Sequence, residues 1–123
     1  MMKNIRSFEN LDCWKSCKEI SLGFKQIIKA LPKEEKALVS NIRRAARSTT
    51  RNIAERYGRF HFKENIQFCR ISCGSLYELV DDLITLKDEN YSSTEEYSKL
   101  RGQVQTSIKI LNGYINYLRS KIN

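Results

Sequence analysis

A chain of 123 residues has room for one ordinary domain and enough apolar side chains to fold without disulfide staples. With 41% hydrophobic residues, one proline and five glycines it is neither disordered nor low in complexity, and no apolar stretch after Met1-Met2-Lys3 is long enough for an export signal or a membrane span. The net charge of +8 sits entirely in the first half: residues 1–60 hold 14 Lys and Arg against 6 Asp and Glu, while residues 61–123 hold 8 against 8, a polarity that points to an anionic partner. The expectation is one cytoplasmic domain over 1–123, with its four cysteines as reduced thiols rather than a disulfide framework.

The first predicted helix runs from Asn10 or Leu11 to Leu31, with Leu11, Trp14, Cys17, Phe24, Ile28 and Leu31 at three- and four-residue spacing and Ile20 and Ile27 widening the stripe. Asn10 or Asp12 can cap it, and Pro32 closes it or opens the next element. The second runs from Glu34 to Tyr57. Glu34 and Glu35 suit its positive end, Leu38, Ile42, Ala45, Ala46, Thr49 and Ile53 form its buried line, and Gly58 ends it.

The third helix spans Phe62 or Lys63 to Lys87. Phe62, Ile66, Cys69, Cys73, Leu76, Val80 and Leu83 alternate four and three, which is a coiled-coil-like seam. The fourth starts after a loop at 88–93. Ser92 with Glu95, or Ser93 with Glu96, makes a capping box, and Tyr97, Leu100, Val104, Ile108, Leu111, Ile115, Leu118 and Ile122 mark one face. No segment alternates with period two for long enough to be a strand. The short links predict an all-α fold, an antiparallel up-and-down four-helix bundle.

Two stretches on helices two and three, Asn41-Ile42-Arg43-Arg44-Ala45-Ala46-Arg47-Ser48 with Asn52-Ile53-Ala54-Glu55, and Gly74-Ser75-Leu76-Tyr77-Glu78-Leu79, carry a family resemblance, together with Leu11-Asp12-Cys13-Trp14-Lys15 and Leu31-Pro32-Lys33-Glu34-Glu35. Over nearly its whole length the chain resembles the bacterial four-helix-bundle family first noticed inside intervening sequences of 23S rRNA genes. That family includes the accessory variability determinant of diversity-generating retroelements. The resemblance implies a basic bundle that assembles as a homopentameric ring, with nucleic acid and a reverse transcriptase as partners in the retroelement branch. The chain departs from the family at Arg56, where glycine is usual, and at Cys17 and Cys73, where alanine is common, which implies alanine-sized core sites there.

On helix two, Lys36, Arg43, Arg44, Arg47 and Arg51 fall in an arc roughly 100° wide, turned away from the buried line. Arginine forks match phosphate oxygens, so this row is the candidate nucleic-acid-binding face, and the absence of any base-reading motif makes backbone charge its basis. The plainer reading is a solvated face, with Arg43 and Arg44 neutralised by Glu78, Asp81 and Asp82 of helix three. The alternative function is a protein-interaction adaptor, for example for a reverse transcriptase, whose basic face docks an acidic surface.

Beyond the core stripes, Ile110, Tyr114 and Tyr117 recur on helix four at i, i+4 and i+7, and Ile71 and Gly74 lie off the seam of helix three. A mid-helix glycine costs about 1 kcal/mol relative to alanine, so these five residues are the candidate oligomer interface. Base stacking by the tyrosines is the lesser alternative. Cys13/Cys17 and Cys69/Cys73 are i, i+4 pairs that two facing helices could turn into a zinc site, but most lie on apolar stripes where cysteine serves as a small core residue. His61 has no partner by spacing, and no nucleophile–base pair, phosphate loop or bundle metal motif is present. The reading is therefore a non-enzymatic protein with no cofactor and no metal.

Overall fold

The computed structural model describes residues 7–57 and 61–122, with the side chain of Arg56 left out; the expected stop at Gly58 lies outside the described residues. Among the described residues the secondary structure is four α-helices and two short 3-10 turns, with no strand: α1 (Asp12–Ile28), α2 (Lys36–Tyr57), α3 (Phe62–Asp88) and α4 (Thr94–Ser120). None of the described helices is long and apolar enough to cross a membrane.

The helix ends are set by local chemistry. Before α1, the Ser7 hydroxyl accepts from the Glu9 N–H at 3.1 Å and holds a 3-10 turn over Phe8–Asn10. Leu11 is then extended and starts α1 with no side-chain cap, so neither Asn10 nor Asp12 serves as the expected one. The helix ends at Ile28, three residues short of the expected Leu31. Ala30 and Leu31 close a turn onto the carbonyls of Ile27 and Ile28, and Pro32 disfavours helical backbone in the residue before it. Pro32 leads into a second 3-10 turn, Lys33–Glu35, so Glu34 and Glu35 precede α2 rather than form its first turn.

At the end of α3, Asn90 adopts a left-handed conformation (φ 63°), which asparagine tolerates better than most residues. The Asn90 and Tyr91 N–H groups return to the carbonyls of Lys87 and Leu86, a Schellman closure. The Tyr91 hydroxyl then donates to Glu35 at 2.9 Å, tying the α3–α4 link to the α1–α2 link. Of the two possible capping boxes, α4 uses Ser93 with Glu96: the Ser93 N–H donates to the Glu96 carboxylate at 2.8 Å and the Glu96 N–H to Ser93 Oγ at 3.0 Å.

The core lies between all four helices, with Phe24, Ile42, Ile53, Leu76, Leu83 and Leu111 among its fully buried members. The buried lines expected on α1, α2 and α4 hold in the main, with Leu11, Trp14, Leu31, Leu38, Tyr97, Ile108 and Ile122 only half-buried. That of α3 is rotated. Phe62 is 36% exposed and Cys73 and Val80 are only half-buried, while Ser72, Ser75, Leu79 and Leu86 are buried in their place. A strict four–three repeat drifts about 20° per heptad against a straight helix. The small residues of α2 also draw α3 hydroxyls inward: Ser72 Oγ donates to the Thr49 carbonyl at 2.8 Å, and Ser75 Oγ to Ser48 Oγ at 2.8 Å. Between α1 and α4, Ser16 pairs with Ser107 through their hydroxyls. One turn beyond Ile20, Gly23 lets α4 come close, since a Cβ there would stand 2.7 Å from the Leu100 side chain.

Candidate nucleic-acid interface

Ser21 Oγ donates to the Ala46 carbonyl at 3.2 Å, which identifies the flank of α1 that meets α2. Lys18 and Lys25 stand three residues before and four after Ser21, on the same flank, and both are exposed. On α2 the buried line through Ile42, Ala46 and Ile53 leaves Lys36, Arg43, Arg47 and Arg51 exposed along the side turned to α1. Between the two helices runs an open groove of about 1140 Å³. Its floor is apolar (Ile28, Leu31, Pro32, Val39) and its walls carry Lys29, Lys33, Lys36, Arg43, Arg44, Arg47 and Arg51.

All five expected cations of α2 therefore line one groove, but they are not equivalent. Arg44 reaches Glu78 on α3 at 3.7 Å, and both side chains remain exposed, 63% and 51%. Arg43 is not held in this way. Among the described residues no carboxylate comes within salt-bridge distance of Arg43, Arg47 or Arg51, so the expected neutralisation of Arg43 by α3 does not occur. The reason is helical phase: Arg43 leans to the α1 side of the Ile42 line, and Arg44, 100° further round, leans to the α3 side.

Reading α2 alone misses Lys18, Lys25, Lys29 and Lys33. Their spacing of seven, four and four residues along the sequence is a usable signal, because 18, 25 and 29 share one helical flank. The acidic residue Glu19 of α1 lies on the opposite side, beside Lys99 and Gln103 of α4. Among the described residues no aromatic side chain lines the basic groove. Asn52, the one amide lining it among the described residues, donates its side-chain nitrogen to the Ser48 carbonyl and hydroxyl at 2.8 and 2.9 Å.

The α2–α3 flank has the opposite sign. A smaller groove there is lined by Asn41, Arg44, Gly74, Tyr77, Glu78, Asp81 and Asp82. Partial burial, reinforced by Asp81 and Glu78, holds the Asp82 carboxyl above its usual range, with Arg44 opposing the shift.

The five residues expected to form an oligomer interface do not form one patch. Ile71 is 45% exposed and Gly74 faces open space, with nothing within 4 Å of where a Cβ would stand. Gly74 lines the acidic groove, which puts it on the α2–α3 side. Ile110 and Tyr114 are half-buried against the core of their own chain, following Ser107 on the flank of α4 that meets α1. Burial pushes the Tyr114 phenol up to about 12. Tyr117 is 55% exposed, stacked beside Tyr114 at 6.3 Å and covered by the Lys121 ammonium at 5.2 Å. Packing of Ile110 and Tyr114 at the α1–α4 seam separates them from Ile71 and Gly74 across the bundle.

Cys13, Cys17 and Cys69 are buried, and burial pushes their thiols up to about 11, 12 and 12. At neutral pH they are protonated and poorly nucleophilic. Among the described residues no group of three or more His, Cys, Asp and Glu is placed to hold a metal ion. Cys17 is fully buried in the core, whereas Cys73 lies at the half-buried edge, where its thiol donates weakly to Asn112 at 3.9 Å.

Compared with known families, residues 9–113 match the family model described as 23S rRNA-intervening sequence protein, a span that includes α1, α2, α3 and most of α4. No curated protein matches the chain at a significant level.

Proposed function

This chain belongs to the 23S rRNA-intervening sequence protein family, and from that premise we propose that it is a non-enzymatic helical bundle that binds nucleic acid through its α1–α2 flank, by charge on the phosphates. One observation carries the reading. Eight cations (Lys18, Lys25, Lys29, Lys33, Lys36, Arg43, Arg47 and Arg51) stand along one flank of α1, α2 and the link between them, and of the arginines lining the groove Arg43, Arg47 and Arg51 have no acidic partner among the described residues. A soluble surface has no need to collect like charges in this way, because they repel; a polyanion relieves the repulsion and releases its own counterions. The family's description speaks of 23S rRNA, so RNA is the first ligand to test.

On this reading the bundle is antiparallel and up-and-down. Partner residues fall in number along α3 as they rise along α2: Arg44 with Glu78, Ser48 with Ser75, Thr49 with Ser72. Catalysis is not part of the proposal, since the buried thiols are held protonated. Self-association is part of it, supported by the exposed Ile71 and Tyr117 and by the open space over Gly74. A monomer by light scattering at high micromolar concentration removes that part alone.

The test of the main claim is Arg47→Gln combined with Arg51→Gln. Binding to unrelated sequences should weaken about equally, and the slope of log affinity against log salt should flatten by about 0.7 to 0.9 for each phosphate that the protein no longer neutralises. Unchanged affinity and slope remove this flank as the site. The remaining use for its charge is then an acidic protein partner, as an adaptor requires.

A further inference from the structure

Resting on the nucleic-acid reading, we infer that the ligand of the α1–α2 flank is a phosphodiester duplex gripped across both helices, not an unpaired strand laid along one. The cations form two rows rather than one. Lys18, Lys25 and Lys29 run along α1 for about 16 Å, and Lys36 to Arg51 along α2 for about 22 Å, at 1.5 Å per residue. Packed helices lie about 8 to 10 Å apart, so the rows make a charged area with width as well as length. An unpaired strand needs one row. A duplex carries one negative charge per about 1.7 Å of its axis, twice the linear density of either strand, and presents phosphates from both.

The face also lacks what an unpaired strand uses. Proteins that hold single strands stack the bases on aromatic rings, and among the described residues no ring lines this groove. Trp14, on the Ser21 flank of α1, is half-buried and in edge contact with Phe8 at 5.5 Å. The two most exposed rings among the described residues are elsewhere: Tyr77 lines the acidic groove, and Tyr117 lies under Lys121 near the end of α4. With the Asn52 amide nitrogen committed to Ser48, no amide N–H lining the groove among the described residues is left to donate to an exposed base edge.

The acidic flank fixes where the ligand lies. Glu78, Asp81 and Asp82 begin where Arg44 ends the basic groove, so a polyanion centred on α2 is repelled on the α3 side and displaced towards α1. The α1 lysines are thereby brought against the phosphates.

The experiment measures fluorescence anisotropy at three salt concentrations with RNA and DNA duplexes of about 20 base pairs, and with oligo-U and oligo-dT of the same length, using the full chain and its Lys18→Gln/Lys25→Gln/Lys29→Gln variant. The native chain should hold the duplexes about tenfold more tightly than the single strands. The variant should bind the duplexes about tenfold more weakly, with a flatter salt slope, and the single strands less than about twofold more weakly. A preference for RNA or for DNA duplex identifies the source and supports the inference in either case. Equal or tighter binding of single strands, or an equal weakening for both forms in the variant, overturns the duplex while leaving nucleic-acid binding in place. Absence of binding to all four probes overturns the nucleic-acid reading and the duplex with it. Circular dichroism checks that the variant is folded, and the single changes Lys25→Gln and Lys29→Gln should each show a share of the weakened duplex binding.

Discussion

The two flanks of α2 are built from the same helix and differ in every respect that bears on function. Towards α1, α2 presents arginines above an apolar floor, and a side-chain hydrogen bond from Ser21 to Ala46 crosses the seam. Towards α3 it presents Ser48 and Thr49 to Ser72 and Ser75, and its arginine on that side, Arg44, meets Glu78. One seam is closed by hydroxyls and neutralised at the rim. The other is left open and charged. A single phase step of 100° between Arg43 and Arg44 decides which seam each arginine serves, so the number of positive residues on α2 says less than their angle.

Reversing charge on the open seam should break the comparison most completely. Arg43→Glu with Arg47→Glu removes two cations and adds two anions beside the remaining ones, and duplex affinity at moderate salt should fall by about a hundredfold or more. Both positions are exposed, so urea unfolding should move by only about 0.5 kcal/mol. A large fall in stability with binding retained would mean that these arginines belong to the fold and not to a ligand.

The closed seam should respond in the opposite manner. Ser72→Ala deletes a buried hydroxyl that donates to the Thr49 carbonyl, and should cost about 1 kcal/mol of stability with affinity for nucleic acid unchanged. Chemical denaturation with anisotropy on the same preparation checks both halves. A fall in affinity at full occupancy of the folded state would show that the two seams are coupled through α2.

How far these differences were legible in the sequence depends on what each needed. Element identity was legible, because Leu111, Ile115 and Leu118 or Ile42, Ala46 and Ile53 repeat with the helical period regardless of partner. The exact buried line of α3 was not. Phe62 and Val80 fit a seam by spacing, but the burial of Ser72 and Ser75 is decided by hydroxyl partners on α2 that no single-helix pattern contains. The arginines of α2 could be found from their phase, whereas the α1 lysines acquire meaning only when Ser21 meets Ala46 and brings the two rows together. The half-burial of Ile110 and Tyr114 has a related cause: being off the main stripe marks a residue as extra, and the α1–α4 seam takes up part of the surface of these two.

A smaller effect sharpens the boundary between the flanks. Glu78→Gln with Asp81→Asn removes two charges that repel a polyanion from the α3 side, and duplex affinity should rise about threefold at low salt, with the gain fading as salt screens it. Acidification should do part of the same work. Asp82, its carboxyl raised by burial and by its acidic neighbours, takes up a proton at higher pH than an ordinary aspartate, so affinity should climb as pH falls through the carboxylate range. Affinity that is flat in both tests would place the ligand too far from α3 to sense it.

The smallest expected effect is at Arg44, the residue that lines both grooves. Its pairing with Glu78 is long, at 3.7 Å, and both side chains are more than half exposed, so solvent screens most of the attraction. Arg44→Gln should therefore change stability by about 0.5 kcal/mol or less. Its effect on binding depends on where the guanidinium spends its time. With Glu78 present it is drawn to the closed side, and Arg44→Gln should weaken duplex binding less than Arg47→Gln does. In a Glu78→Gln background the arginine is released to the open side, and the same substitution should then cost as much affinity as Arg47→Gln. The comparison is a double-mutant cycle read by anisotropy, and its coupling energy isolates the pair from the general reduction of charge. Equal costs in the two backgrounds would mean that Glu78 does not hold Arg44 in solution, and that the basic flank extends one residue further towards α3 than the ion pair indicates.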